Sequence, residues 1–187
     1  MDRLLAISDA INALLGRIAM AVGWLFLACT AVIVFDVLSR KFGFQLPGMG
    51  STRLQELEWQ LHTAIFSFWL ALGYIKNAHV RIDIALTHAK PHTRALIELA
   101  GCLGFAVPYC LIAIYFSLDF TWIAFVDNES SASANGLPWR WIPKGFISLG
   151  LILLLAAVIS VLMRLIVYLL GPQRLRAAST TAAIQGS

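Results

Sequence analysis

The sequence predicts an all-α integral membrane protein with four transmembrane helices, preceded by a short amphipathic N-terminal helix. Three observations carry this. Of 187 residues, 59% are hydrophobic and only 13% are charged, with a mean hydropathy of +0.79. A soluble domain of this length needs more charge to cover its surface. Four apolar runs each come close to the roughly 20 residues that cross a bilayer as a helix. The basic residues of the +4 net charge sit beside those runs, where they set topology, rather than in a patch for nucleic acid.

Residues 1–17 read as an amphipathic segment at the membrane surface. Leu4, Ile7, Ile11, Leu14 and Ile18 recur at helical spacing, with Asp2, Asp9 and Asn12 elsewhere on the wheel. The alternative is a plain extension of the first span. The membrane domain covers residues 18–170, and its first span is 18–38. Asp36 lies near the end of that span, where it reaches interfacial water or pairs with Arg40. A Gly- and Pro-rich loop follows, and Ser51 or Thr52 can cap the next helix.

The second span, 57–75, opens through Leu54-Gln55-Glu56-Leu57-Glu58-Trp59 and leaves through Lys76 and His79-Val80-Arg81-Ile82-Asp83. No other stretch puts so much polar chemistry beside a span. Glu56 and Glu58 are two apart, so they point roughly 200° apart on a helix. One reading makes both of them solvated interfacial acids; we expect instead that Glu56 meets a basic group, either Arg40 or Arg53 of this chain or one on a partner. His62 is the one histidine within a span and reads as a helix-contact residue. His79, His88 and His92 lack the clustering of a metal site, so their loop reads as solvated.

The third span, 95–118, contains Pro108 and should kink there. The connection Asp119–Lys144 is the longest. It holds Asp127, Glu129, the small polar run 130–134, and Gly136-Leu137-Pro138-Trp139-Arg140-Trp141, whose tryptophans fit an aromatic belt. The fourth span is 145–170, with Arg164 snorkelling near its end. Gly171-Pro172 stops the helix, and residues 171–187 read as a disordered cytoplasmic tail. Cys29, Cys102 and Cys110 all fall inside apolar runs and read as buried thiols. Neither a cleavable signal nor a lipoprotein site is convincing at the first run.

Nine basic residues (Arg3, Arg17, Lys76, Arg81, Lys90, Arg94, Arg164, Arg174 and Arg176) fall on one side of the four spans. Five (Arg40, Lys41, Arg53, Arg140 and Lys144) fall on the other. The positive-inside rule then puts both termini in the cytoplasm. A Walker loop, a nucleophile elbow and a metal-ligand cluster are all missing, so no enzyme, cofactor or metal is expected. Carriers are usually built from repeated halves with broken spans. Four mostly continuous spans without a repeat point instead to an accessory subunit.

In this frame the chain resembles the small membrane subunit (Q-type, DctQ-like) of tripartite ATP-independent periplasmic (TRAP) transporters. The resemblance rests on Arg40-Lys41-Phe42 after the first span, the Leu54–Trp59 and His79–Asp83 stretches, and Pro108. It continues through Glu129-Ser130, Gly136–Trp141 and Lys144. Lys41 stands where the family usually has Tyr. The resemblance implies a multi-pass protein of the bacterial inner membrane that scaffolds a large permease subunit. That subunit, expected as a separate chain, would carry out sodium-coupled uptake of an organic acid delivered by a periplasmic solute-binding protein. Besides membrane lipid, these two proteins are the expected partners. Arg40, Glu56, Glu58, Trp59, Asp127, Glu129, Arg140 and Lys144 are the candidate partner contacts, and His79, Arg81 and Asp83 form a cytoplasmic hinge. The acidic half of the long connection is expected to meet the binding protein, with Trp139 and Trp141 anchoring the fourth span. Two other classes remain: a haem-anchoring subunit of an oxidoreductase, for which only His62 qualifies as an axial ligand, and a small four-helix exporter, for which Asp36 lies too near the surface.

Overall fold

Helix α1 runs without a break from Asp2 to Phe42. Forty-one residues make a rod of about 60 Å, twice the thickness of a hydrocarbon core. Asp2 in its first turn and Arg40 and Lys41 in its last complement the helix dipole. The computed structural model describes residues 1–45, 47–78, 89–181 and 184. The amphipathic segment expected at 1–17 is therefore not a separate helix: nothing at Gly16-Arg17 interrupts the backbone ladder, and the segment forms the first turns of α1.

The other helices among the described residues are α2 (Ser51–Ile75), α3 (Pro91–Gly101), α4 (Val107–Val126), α5 (Trp141–Leu170) and the short α6 (Gln173–Ser179). No strand occurs among the described residues. Three of the helix ends use one device. Gly43 (φ 72°), Asn77 (φ 53°) and Asn128 (φ 47°) turn left-handed just past α1, α2 and α4. The next amide then reaches back to a carbonyl in the last turn: Phe44 N–H to Ser39 O at 3.1 Å, Ala78 to Gly73 at 2.9 Å, Glu129 to Ala124 at 2.9 Å. Glycine and asparagine tolerate that backbone region best, so these residues set the stops.

Among the described residues three stretches are long and apolar enough to cross a membrane: α1, Pro91–Val126 and α5. Four spans are predicted, and α2 is the difference. Its 25 residues reach about 37 Å, enough for a crossing. Gln55, Glu56, Glu58, Gln60 and His62 lower the hydropathy of its first half below that of the other three.

Pro108, where a kink is expected, follows a local irregularity in the third stretch. Between α3 and α4 lies a π-helical segment, Cys102–Ala106, and the Val107 N–H bonds to Cys102 O, five residues back. A proline inside a helix lacks a donor and crowds the carbonyl four residues earlier. The wider turn just before Pro108 makes room for the ring. Two boundaries also move. The helix continues through Asp119 and Trp122 to Val126, so the predicted connection shrinks to residues 127–140. In the predicted disordered tail, Gln173–Ser179 is helical, and Ser179 is buried. Leu, Arg and Ala favour helix there, and Arg164 donates to the Ala178 carbonyl at 2.8 Å.

The residues group into two compact units. The first comprises Met1–Arg17, Leu70–Ala113 and Leu151–Ser187. Its apolar centre is Leu15, Ala71 and Ala157, with Ile11, Tyr74, Ile75 and Leu153 packed on it. A polar seam joins α1 to α5: Ser8 and Ser160, both fully buried, share a 2.8 Å hydroxyl contact, and Ser160 donates to Asn12 Oδ1 at 2.7 Å. Arg164 was expected to snorkel. It turns inward, donating to Ser8 Oγ at 2.9 Å and pairing with Asp9. Small residues at the contact let helices approach closely enough for such hydrogen bonds.

The second unit comprises Ile18–Trp69 and Ile114–Gly150. Here α2 and α5 nearly touch. A Cβ on Gly150 would overlap the Ser67 carbonyl and come within 2.8 Å of Ser67 Cβ, so only glycine fits. Ser148 bridges α5 to α4 through Ser117 (2.5 Å) and Thr121 (3.0 Å). Trp69 donates its indole N–H to Ala19 O at 3.0 Å. These contacts hold the ends of α2, α4 and α5 that carry the candidate site.

Candidate functional site

The polar residues singled out at the start of α2 and in the 127–144 stretch come together in the second unit, and Glu56 is at their centre. It sits in the second turn of α2 and is only 8% exposed. Its carboxylate accepts hydrogen bonds from the Ser131 hydroxyl and from the Leu137 amide at 2.5 Å, and Arg140 lies 3.9 Å away. Burial pushes its pKa up. The Ser131 and Leu137 hydrogen bonds and the Arg140 charge outweigh that, holding the carboxyl below the ordinary glutamate value. A basic partner was expected, but as Arg40 or Arg53. Arg140 takes that place because the other two are engaged elsewhere.

Arg40 pairs with Asp36, its Nη2 at 2.6 Å from Oδ2, one helical turn away on α1. Asp36 does not reach interfacial water: its side chain is fully buried, and Ser51 donates to its other oxygen at 3.0 Å. The hydroxyl expected to cap α2 thus ties the helix start to α1 instead. Arg53 hydrogen-bonds two carbonyls, Gly48 O at 2.6 Å and Asn135 O at 3.2 Å, and so links the two connections that flank the site.

The connection 127–140 is folded around these anchors. Ser131 N–H bonds Leu137 O at 3.1 Å, Gly136 N–H bonds Ser133 O at 3.0 Å, and Arg140 N–H bonds Glu129 O at 2.9 Å. Gly136 has no room for a side chain, since a Cβ would overlap Ser131 and lie 2.8 Å from Glu56 Oε1. Trp139 takes a left-handed φ of 63°, turning the chain into α5. Lys144 pairs with Glu129 and lies 3.6 Å from the centroid of the Phe120 ring. Arg140 lies 5.8 Å from the Trp59 ring centroid, a cation–π distance.

Of the candidate contact residues, Glu56, Trp59 and Arg140 form one cluster, Glu129 and Lys144 a second, and Arg40 belongs to the Asp36 pair. Asp127 stands exposed just past α4. Glu58 points away from the Glu56 cluster as its spacing requires, and its Oε1 is buried without a hydrogen-bond partner among the described residues. His79, Arg81 and Asp83 lie outside the described residues. Ser131, Leu137 and Gly136 were missed as site residues. The carboxylate contact that selects them spans 75 to 81 positions of sequence.

Among the described residues no group of three or more His, Cys, Asp or Glu side chains is placed to hold a metal ion. The family described as tripartite ATP-independent periplasmic transporters, DctQ component, matches residues 29–168. The chain belongs to the DctQ family. That stretch covers the last third of α1, the whole of the Glu56 cluster and nearly all of α5, so the contacts of Asp36, Glu56 and Glu129 all fall in the DctQ region. The first turns of α1, with Ser8 and Asp9, and the helix α6 lie outside it. No curated protein and no solved structure matches the chain.

Proposed function

We propose that this DctQ-family chain is the small permease subunit of a TRAP transporter, bracing a separate large permease subunit. That subunit takes up an organic acid, driven by sodium and supplied by a periplasmic solute-binding protein. The chain itself performs no catalysis. It crosses the bacterial inner membrane four times, α2 being the fourth crossing, with both termini in the cytoplasm. The connections 43–50 and 127–140 then face the periplasm.

One observation supports a bracing role over an ion-carrying one: Asp36, Glu56 and Glu129 of the second unit are engaged in internal contacts. Asp36 is held by Arg40 and Ser51, Glu56 by Ser131, Leu137 and Arg140, and Glu129 by Lys144. Carboxylates tied down in this way order a loop and fix helix ends, which suits a scaffold. An ion pathway needs intramembrane acids that are open to exchange.

Reconstitution tests this. In liposomes with an inward sodium gradient, the isolated chain should take up no organic acid. Adding the large subunit and the binding protein should restore uptake. Uptake by the chain alone would overturn the proposal, as would full uptake by the large subunit and binding protein without it.

A further inference from the structure

The connection 127–140 encloses an open hollow of about 460 Å³, lined by Arg53, Ser130 to Ala134, Gly136 and Pro138. This volume falls in the range of about 300–1,000 Å³ that ligand-sized recognition sites occupy. Arg53 is the only charged side chain in that lining, and the other polar side chains are serine hydroxyls. Neighbouring acids do not cancel its charge. Glu56, adjacent to Ser131 and Gly136, has its own cation in Arg140 at 3.9 Å, and Glu129 is paired with Lys144. Asp127 is not among the lining residues.

The hollow is held in shape before anything binds. Ser131, Ser133, Gly136 and Leu137 are cross-linked by the backbone bonds already described, and Ser133 N–H also bonds Ser131 Oγ at 3.1 Å. The two carbonyls that Arg53 contacts fix the plane of its guanidinium and use Nε and Nη1. Nη2 carries no hydrogen bond among the described residues, so part of the five-donor fork stays available. A fixed guanidinium beside hydroxyl donors matches a carboxylate, and little ordering cost remains to be met on binding.

We propose that this hollow is the socket for an acidic side chain of the periplasmic solute-binding protein, an inference that rests on the transporter function proposed above. One arginine in an open, solvated hollow is a weak site for a small free acid. The same contact within a protein interface, where many others share the cost of association, steers the encounter and sets its register. The docking charge offered by this chain is then positive, opposite in sign to the acidic contact expected at Asp127 and Glu129.

The test uses the complete transporter in proteoliposomes and changes the sign of the rim at Ala134. That residue lines the hollow, is exposed, and has no polar side chain to lose. At low salt, Ala134→Glu should raise the binding-protein concentration for half-maximal uptake about threefold or more, and Ala134→Lys should lower it. Arg53→Gln should act like Ala134→Glu. In the two Ala134 variants maximal uptake and the yield of the two-subunit complex should not change, and about 0.5 M salt should erase the differences. No shift, or shifts of the same direction for Glu and Lys, overturns the socket. So does a shift in the organic-acid concentration dependence with the binding-protein dependence unchanged, which would mark the hollow as a site for the free acid. If the unsubstituted chain neither joins the large subunit nor supports uptake, the transporter function itself fails, and that is seen before any variant is compared.

Discussion

The Leu137 amide donates to the Glu56 carboxylate across 81 positions of sequence, at 2.5 Å. This bond and the Ser131 hydroxyl beside it attach the middle of a long connection to the second turn of α2. Replacing the carboxylate by an amide turns one acceptor into a donor facing donors. Glu56→Gln should therefore cost about 1.5–3 kcal/mol of stability, the range for a hydrogen bond to a charged group. Glu58→Gln, on another face, should cost less. Thermal unfolding of the purified complex, and its yield, measure both; equal and small effects would mean that Glu56 is a solvated surface acid.

The same attachment has a pH dependence. The folded pKa of Glu56 lies below its ordinary value of about 4.3. Its contribution is then fully present above the unfolded pKa and is lost as pH falls through the folded one. Protection of the 131–137 amides from hydrogen exchange should hold from neutral pH down to the ordinary glutamate range and be lost only as pH falls through the lower folded pKa. In Glu56→Gln that acid transition should be missing.

Gly136→Ala probes the packing of the loop rather than its charge. The added methyl overlaps Ser131 and crowds Glu56 Oε1. Overpacking of this kind costs about 1–3 kcal/mol. In thermal unfolding the losses of Gly136→Ala and Ser131→Gly should be less than additive in the double variant, because the overlapping side chain is gone.

Arg164 predicts coupling between α6 and the seam of α1 and α5. Arg164→Lys keeps the charge and loses the fork that reaches Ser8, Asp9 and the Ala178 carbonyl together. Limited proteolysis should cut residues 173–181 several-fold faster in the variant. An unchanged rate would show that α6 holds without this arginine.

Topology gives a separate check on orientation. A reporter fused after Ser187 should be active in the cytoplasm, and one inserted in 130–134 should be active in the periplasm. A periplasmic C-terminus would reverse the orientation and remove the binding protein from reach of the socket.

The membrane stretches were legible because their signal is local. α1, α5 and the Pro91–Val126 stretch announce themselves by apolar length, and Gly43, Pro91 and Gly171 mark their ends. Arg40 meets Asp36, four residues back, as local spacing allows. What the sequence hid is which faces meet. Arg164 reads as a snorkelling cation because its partners Ser8 and Asp9 lie about 155 positions away. Ser131 reads as one more small turn residue, since the carboxylate that selects it belongs to another helix. Arg164 reads toward water and Ser131 as a turn residue, and both are held by residues distant in sequence.

The π turn also leaves a numerical trace. Along the third apolar stretch the buried residues are Ala95, Cys102, Cys110 and Ala124, at intervals of seven, eight and fourteen. Seven residues of α-helix come within about 20° of two full turns, whereas eight overshoot by about 80°. The π segment begins at Cys102 and absorbs the extra residue, so the helix on either side keeps one phase. A one-residue deletion between Cys102 and Cys110 would restore the interval of seven and spare the burial pattern, but it would take away the widened turn that Pro108 needs. The same deletion elsewhere in the stretch would rotate every later side chain by about 100°.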